Sequence, residues 1–474
     1  MQEQDQAKRR QQQKRRRWNN RVTGVKVTVF FGVLLLLSLI GLLWFARPST
    51  STLEKRELTK FPKLTWSSFW DGSFFSGMDK WYADTYPLRE SMIGAEQRLK
   101  NAYGIRGTQL SGNQNQVAET IPTGTQDLEE LVKQTEPTET TAQPTESTQE
   151  TLPDGTIKAP LEQVGSIYIA DHQGFGLYYF GQKNSARYCL AINSLADSLK
   201  GTANVYSLIA PISAGVMLDK SVIEQTGSSD EEEAINWMYA NMDENVKTVS
   251  VFETLRAHNA EYIYFHTDHH WTALGAYYAY TDFCKVKGIE PHALSSFKTY
   301  TFPDYLGTFY SGSNQSDELG SNPDTITAYI PNGTNLMETY MSNHDGTYTK
   351  YDWNIVFDVS DYDKSALYST FTAGDQPYSY AHNPEIHDGS SVVLVKDSYG
   401  NAFLPFLVDH YEHIYLVDFR YYKSYCEWAG IADPSLEALV RDKGIQDVIV
   451  LNNIYNTAAD ELLPYLEELC KSNG

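Results

Sequence analysis

The chain has 474 residues, a formal net charge of −22 and 13% aromatic residues, among them 33 Tyr and 9 Trp. Nine Lys or Arg against two acidic residues in 1–26 give that segment a surplus of +7, which leaves the remainder at −29. A body this acidic argues against nucleic acid or an anionic membrane surface as its ligand and suits a neutral one such as a glycan; Tyr rings hold sugars by stacking and hydroxyl hydrogen bonds, and the alternative is that they line strands and fill the core.

Behind the basic tail (1–26), residues 27–46 carry no charge. A helix of that length spans about 30 Å, the hydrocarbon thickness of a bilayer. The basic flank predicts a single transmembrane signal anchor with a cytoplasmic N-terminus and an extracytoplasmic body. The run is long for a cleaved signal peptide, and no small-x-small site follows Ala46. Residues 47–111 are rich in aromatics and are expected to form a membrane-proximal segment packing on the core, with helices over 72–83 and 91–103. Residues 104–167 contain no Phe, Tyr or Trp, and 134–149 are almost entirely Thr, Glu, Pro and Gln. Such composition cannot bury enough surface to offset chain entropy, so 112–160 is expected to be a disordered linker.

From residue 161 to 474 short β-type runs alternate with helical segments. Strands are expected at 166–170, 178–180, 205–210, 262–265, 392–395, 414–417 and 448–451. Helices are expected at 186–199, 231–241, 251–257, 272–285, 401–408, 434–441 and 458–471. This alternation predicts an α/β fold with a mostly parallel sheet and flanking helices. Residues 296–390 show no regular pattern. Cys189, Cys284, Cys426 and Cys470 lack C-x-x-C spacing, which disfavours zinc; four cysteines allow three pairings, and buried thiols are an equal alternative.

Several apolar runs end abruptly in chemically able side chains. Ligands of open α/β sheets sit beyond the carboxyl ends of the strands, so these ends can share one rim. After 392–395 come Lys396, Asp397 and Ser398. A Ser between a buried strand and a helix presents its hydroxyl on a tight turn, and the amides of Ser398, Tyr399 and Gly400 at the helix start can face an oxyanion. The structural alternative is that Asp397 or Ser398 serves only as a helix cap. After 262–265 come His266, Thr267, Asp268, His269, His270 and Trp271. In an extended segment Asp268 and His270 share a face, so the carboxylate can orient His270 as the general base for Ser398, with Thr272 capping the next helix. The alternatives are a structural loop, or a metal held by His266, Asp268, His269 or His270. Nothing else in the sequence completes such a set, and neither metal nor cofactor is expected. The small-residue loop from Gly307 to Gly312 can line the site, with an ordinary turn as the alternative, and Arg420 and Asn453 can supply polar groups there or serve structure alone.

At these residues the sequence resembles the bacterial DHHW family, named for Asp268-His269-His270-Trp271. That family is similar to the SGNH-hydrolase-like proteins of alginate O-acetylation. The resemblance also includes Asp84-x-Tyr86-Pro87-Leu88-Arg89 and Lys396-Asp397-Ser398-Tyr399-Gly400-Asn401, although Lys396 stands where a Gly-Asp-Ser block would have Gly. It implies an SGNH-like catalytic domain with Asp268, His270 and Ser398 as its triad, in reversed chain order. It also implies an acyl-Ser398 intermediate, transfer of acetyl to a cell-envelope polysaccharide, and a multi-spanning membrane O-acyltransferase as acyl supplier. Two classes of function are therefore expected: an anchored O-acetyltransferase or acetylesterase, or a non-catalytic protein that binds glycan or assists envelope assembly.

Overall fold

The computed structural model describes residues 47, 50–51, 56–57, 59–70, 73–87, 109–111, 118–133 and 167–471. The expected membrane span, the helix at 91–103 and most of the expected linker lie outside them. No helix among the described residues is long and apolar enough to cross a membrane. The chain divides into two compact units, Met1–Ile105 and Arg106–Gly474.

In the first unit, Ser73–Asp84 forms the expected helix. Phe61 packs edge-on against Trp81 (4.8 Å between ring centroids), and the Arg47 guanidinium lies 3.9 Å above the Trp81 ring.

The second unit is built on an eight-stranded sheet. Its strands are β1 (Asn204–Ala210), β2 (Val246–Thr248), β3 (Leu336–Ser342), β4 (Tyr348–Asn354), β5 (Tyr378–His382), β6 (Ser391–Lys396), β7 (His413–Asp418) and β8 (Asp447–Asn453). Their order is β4-β3-β5-β7-β6-β8-β1-β2. Strands β7, β6, β8, β1 and β2 run parallel, whereas β4, β3 and β5 join antiparallel. The fold is thus mixed α/β. The antiparallel part comes from 296–390, where an Asp345-Gly346 turn with Gly346 at φ 84° closes the β3–β4 hairpin. All six residues of β6 and all seven of β8 are buried, as parallel strands covered on both faces require. The helices α1 (Gln182–Ser198), α2 (Glu231–Ala240), α3 (Ala273–Lys287), α4 (Tyr399–Leu407), α5 (Tyr422–Ala429), α6 (Leu436–Lys443) and α7 (Leu463–Cys470) flank it. Thr272 caps α3 as expected, its Oγ1 accepting from Gly275 N at 3.3 Å.

Two expectations need correction. Residues 118–133, inside the expected linker, pack on the main unit. Glu119 N donates to Phe180 O (3.0 Å), Gln126 N donates to Asn241 Oδ1 (2.7 Å), and Leu128 is buried. Gln109–Ser111 pairs with Ile167–Ala170, so these residues belong to the main unit as well. Composition pointed the other way because a short amphipathic turn carries little apolar sequence when backbone hydrogen bonds do much of the anchoring. The four cysteines are all buried and free. Burial raises their thiol pKa, to about 11 for Cys426.

At the carboxyl ends of β6 and β7 lies a buried group of two cations and two anions. Lys396 Nζ is 3.1 Å from Asp375 Oδ1 and 2.9 Å from Asp418 Oδ2. Arg420 Nη2 is 2.9 Å from Asp375 Oδ2 and 2.7 Å from Asp418 Oδ2. Asn401 Nδ2 adds a bond to Asp375 Oδ1 at 2.8 Å. Burial opposes ionisation of Asp375, yet Lys396 and Arg420 hold its carboxyl below the usual range. The charges balance, so the group is stable as a set and fragile in its parts. Lys396→Met leaves two carboxylates facing one cation, and we expect it to cost roughly 3–5 kcal/mol in a denaturant titration. A loss under about 1 kcal/mol would contradict this reading.

Candidate active site

The first motif is a loop, not a strand end. Residues 262–265 form only an isolated bridge between Tyr264 and Trp271. Phe265 N donates to His270 O at 3.3 Å, which turns the chain back on itself. The loop is pinned from outside by Asp324, a buried side chain that sequence reading missed. Its carboxyl accepts from His266 N (2.7 Å), Thr267 N (2.7 Å) and Thr267 Oγ1 (2.6 Å).

Within this loop Asp268 and His270 meet through a side-chain turn rather than by sharing a strand face. Asp268 Oδ1 accepts from His270 N at 3.0 Å and lies 2.6 Å from His270 Nδ1. Asp268 Oδ2 accepts from Thr308 N (2.8 Å) and Thr308 Oγ1 (3.0 Å). Burial works against the carboxylate, but His270, His269 and these hydrogen bonds outweigh it and hold the carboxyl well below its usual range. An ionised carboxylate only accepts, so His270 Nδ1 carries the hydrogen in this contact, and the lone pair of the neutral ring sits on Nε2. Thr308 Oγ1 donates to Asp268 and takes a second contact from His269 Nδ1 at 2.6 Å. Candidate ligand atoms of Asp268, His269 and His270 lie within 4.8 Å of one another, and these hydrogen bonds already engage both Asp268 oxygens and both Nδ1 atoms.

Gly307 is required by this packing. A Cβ there would sit 2.3 Å from Asp268 Cβ and Oδ2, so no side chain fits if the Thr308 amide is to reach the carboxylate. It sits behind Asp268 as part of the carboxylate's wall.

The second motif has the expected strand-to-helix geometry. Ser398 lies between β6 and α4 with φ −59° and ψ −22°, and its side chain makes no capping bond to the helix. Asp397 is the cap. Its Oδ1 accepts from Tyr399 N (2.8 Å), and its Oδ2 accepts from Asn453 N and Asn456 Nδ2 (both 2.6 Å). The expectation that the Tyr399 and Gly400 amides face an oxyanion is corrected: Tyr399 N is bound to Asp397 Oδ1, and Gly400 N donates to Asp397 O at 3.0 Å. Gly400 answers a steric need, because a Cβ would meet Lys396 Cβ at 2.5 Å. Asn453 holds Asp397 and caps the following turn through Tyr455 N (3.0 Å). Arg420 is bound to Asp418 and Asp375 in the buried ion group.

The two motifs are spliced at several points. Trp271 Nε1 donates to Tyr399 O at 3.1 Å, and Tyr399 Oη donates to His269 O. Tyr368 lies flat against the His270 ring, with centroids 3.9 Å apart and planes 12° apart, while its hydroxyl donates to Ser398 O at 3.0 Å. Asp268, His270 and Ser398 are each no more than 5% exposed. Asp324 and Tyr368 were missed by sequence reading: both sit in the irregular stretch and offered no signal. Thr308 lies in the 307–312 loop that the sequence offered as a lining of the site, and its contact is with Asp268.

These features define a mixed α/β protein with a large central sheet, in which a strand-end serine and an Asp–His loop are fastened together. The chain belongs to the DHHW family, whose model, described as DHHW protein, matches residues 54–136 and 115–417. A DHHW family protein from Eubacterium siraeum of known crystal structure is 28% identical, with a TM-score of 0.55 over 65% of this chain and 96% of that one. Bacillus cereus PatB1, solved with a sulfonyl adduct, is 17% identical and shares the fold, with a TM-score of 0.51 over 65% of this chain and all of that one. No curated protein matches the chain.

The buried Asp268 ion sets a pH dependence. Its folded pKa lies below the unfolded value of 3.8, so its stabilisation is present above that value and is lost as pH falls through the lower folded one. Asp268→Asn should therefore be less stable than the parent at pH 7 by about 2–5 kcal/mol, with a deficit that narrows in acid, measured by denaturant titration at both pH values. Gly307→Ala should cause a loss of similar sign by forcing Asp268 from its place.

Proposed function

We propose that the protein is an extracytoplasmic, membrane-anchored O-acetyltransferase or acetylesterase that acts on a cell-envelope polysaccharide through Ser398, His270 and Asp268. The observation that carries this reading is the shared contact of Tyr368, which stacks on the imidazole and holds the carbonyl of the serine. The ionised Asp268 beside His270 Nδ1 supports the same assignment, because it directs the basic lone pair to Nε2.

In this reading Ser398 Oγ attacks an acyl carbonyl and His270 Nε2 takes its proton. The collapsing intermediate expels the donor's leaving group, which receives that proton from His270, and an acyl-Ser398 ester remains. A sugar hydroxyl then attacks the ester while His270 accepts its proton. The acetylated sugar leaves, and the proton returns to Ser398. Water in place of the sugar gives hydrolysis. Asp268 stays ionised throughout and stabilises the imidazolium. The acidic body suits a neutral acceptor, and the basic tail before an uncharged run supports the anchored topology. A multi-spanning membrane O-acyltransferase is the proposed acyl supplier, and no metal or other cofactor is invoked. PatB1, whose fold this chain shares, has been solved with a sulfonyl adduct; an arylsulfonyl fluoride is therefore a suitable probe here.

The test is hydrolysis of an aryl acetate by the full-length chain. Ser398→Ala and His270→Ala should each lower kcat by roughly a thousandfold or more. An arylsulfonyl fluoride should label the peptide containing Ser398 in the parent, with labelling abolished in Ser398→Ala. Wild-type rates in both variants would refute the assignment.

A further inference from the structure

Away from the segments that carry Ser398 and His270, the sheet face formed by its antiparallel extension carries a groove. On β5 and β7, Tyr380 pairs directly with Tyr415 and Tyr378 with Val417, and on β3 Glu338 pairs with Tyr380. Residues opposite each other or two apart share a face, so Glu338, Tyr340, Tyr378, Tyr380 and Tyr415 project from one side. Helices α5 and α6 line the same cavity with Tyr422, Tyr425, Leu439 and Asp442, leaving a space of about 700 Å³. The rings are held as a set. Tyr378 stacks on Tyr425 (5.2 Å, 13°), and Tyr380 lies beside Tyr415 (5.0 Å, 32°). The Tyr378 and Tyr415 hydroxyls form no hydrogen bond within the described residues. At the rim Glu338 pairs with Lys350 (2.7 Å) and Asp442 with Lys443 (2.9 Å), and Asp433 lies beside them.

We propose that this groove is a second binding site, for a neutral polysaccharide strand. It rests on the glycan part of the function proposed above and is independent of its chemistry. Aromatic faces at fixed spacing suit the apolar faces of sugar rings, and hydroxyls not used within the fold suit the sugar hydroxyls. A rim whose lysines are already paired with carboxylates, on a chain of net charge −22, disfavours a uronate polymer and accepts an uncharged one. Tyr340, Tyr378 and Tyr380 are half-buried here, beside the buried Tyr415, Tyr422 and Tyr425, so part of three rings is left for a ligand. Position supports a tethering role. Tyr378 faces Val417, the residue before Asp418 of the buried ion group, so the groove begins at the rim that carries Ser398. It continues down the strands through Tyr415, about 10 Å from that rim at a strand rise of ~3.3 Å per residue. A strand held there keeps its acceptor units near Ser398 between turnovers.

The test is titration of the full-length chain with three probes: chitohexaose, cellohexaose and an oligogalacturonate of the same length, followed by intrinsic fluorescence and calorimetry. At least one neutral hexaose should bind saturably, and the uronate roughly tenfold more weakly or not at all. Tyr380→Ala should weaken the neutral hexaose about tenfold. The rim variant Glu338→Lys, which replaces the Glu338–Lys350 ion pair with two ammonium groups, should improve the uronate several-fold. Ser398→Ala should bind as the parent does, and Tyr380→Ala should hydrolyse the aryl acetate at the parent rate. Absence of saturable binding by either neutral hexaose would overturn the groove proposal, as would binding unchanged in Tyr380→Ala, or displacement of the hexaose by a proline-rich peptide that occupies the groove more tightly. Loss of aryl acetate hydrolysis in Ser398→Ala is a separate readout, so a failure of the groove and a failure of the catalytic assignment are told apart.

Discussion

An ionised carboxylate buried beneath a loop is the constraint from which the site is built. Asp268 is 1% exposed, and desolvating such a charge costs several kcal/mol unless its lone pairs are met. Four donor contacts, from His270 and Thr308, meet them. The Thr308 amide reaches the carboxylate only because residue 307 is glycine, and Asp324 holds the backbone just before Asp268 through the His266 and Thr267 amides. The imidazole's orientation follows from these requirements, before any ligand is considered.

The serine half follows the same rule with different atoms. Asp397 satisfies the turn, fastens β8 to β6 through Asn453 and Asn456, and leaves Ser398 out of helix capping. Beneath it, the Lys396–Asp375–Arg420–Asp418 group makes the end of the strand rigid. Lysine in place of a small residue ahead of Asp-Ser is thus a structural commitment. It brings two carboxylates and an arginine with it, and it requires glycine one helical turn later.

Much of this was legible in the sequence where local pattern and final environment agree. The buried parallel strands β1, β6, β7 and β8 read as apolar runs because both faces are covered, and α1 to α4 read from their spacing. The segment 262–265 looked like those strands for the same reason, namely burial, yet its backbone partners lie within its own loop. The pairing of Asp268 with His270 was anticipated through a face-sharing argument, whereas a side-chain turn produces it. The strands β3, β4 and β5 were invisible because they are half-exposed and mix Tyr, Glu, Thr and Ser without strict alternation. The supporting residues Thr308, Asp324, Tyr368 and Asp375 all come from 296–390, the part of the sequence without a regular pattern. Their meaning depends on contacts with distant segments, which no local window contains.

The four cysteines carry a consequence of their own. Each is buried, unpaired and held in its neutral thiol form by desolvation. The main unit therefore reaches its final shape without covalent cross-links, and it makes no demand on thiol-oxidising catalysts while it matures. Reductants have no bridge to break, and oxidants meet no accessible thiolate. Its durability is set by packing and by balanced internal charge alone.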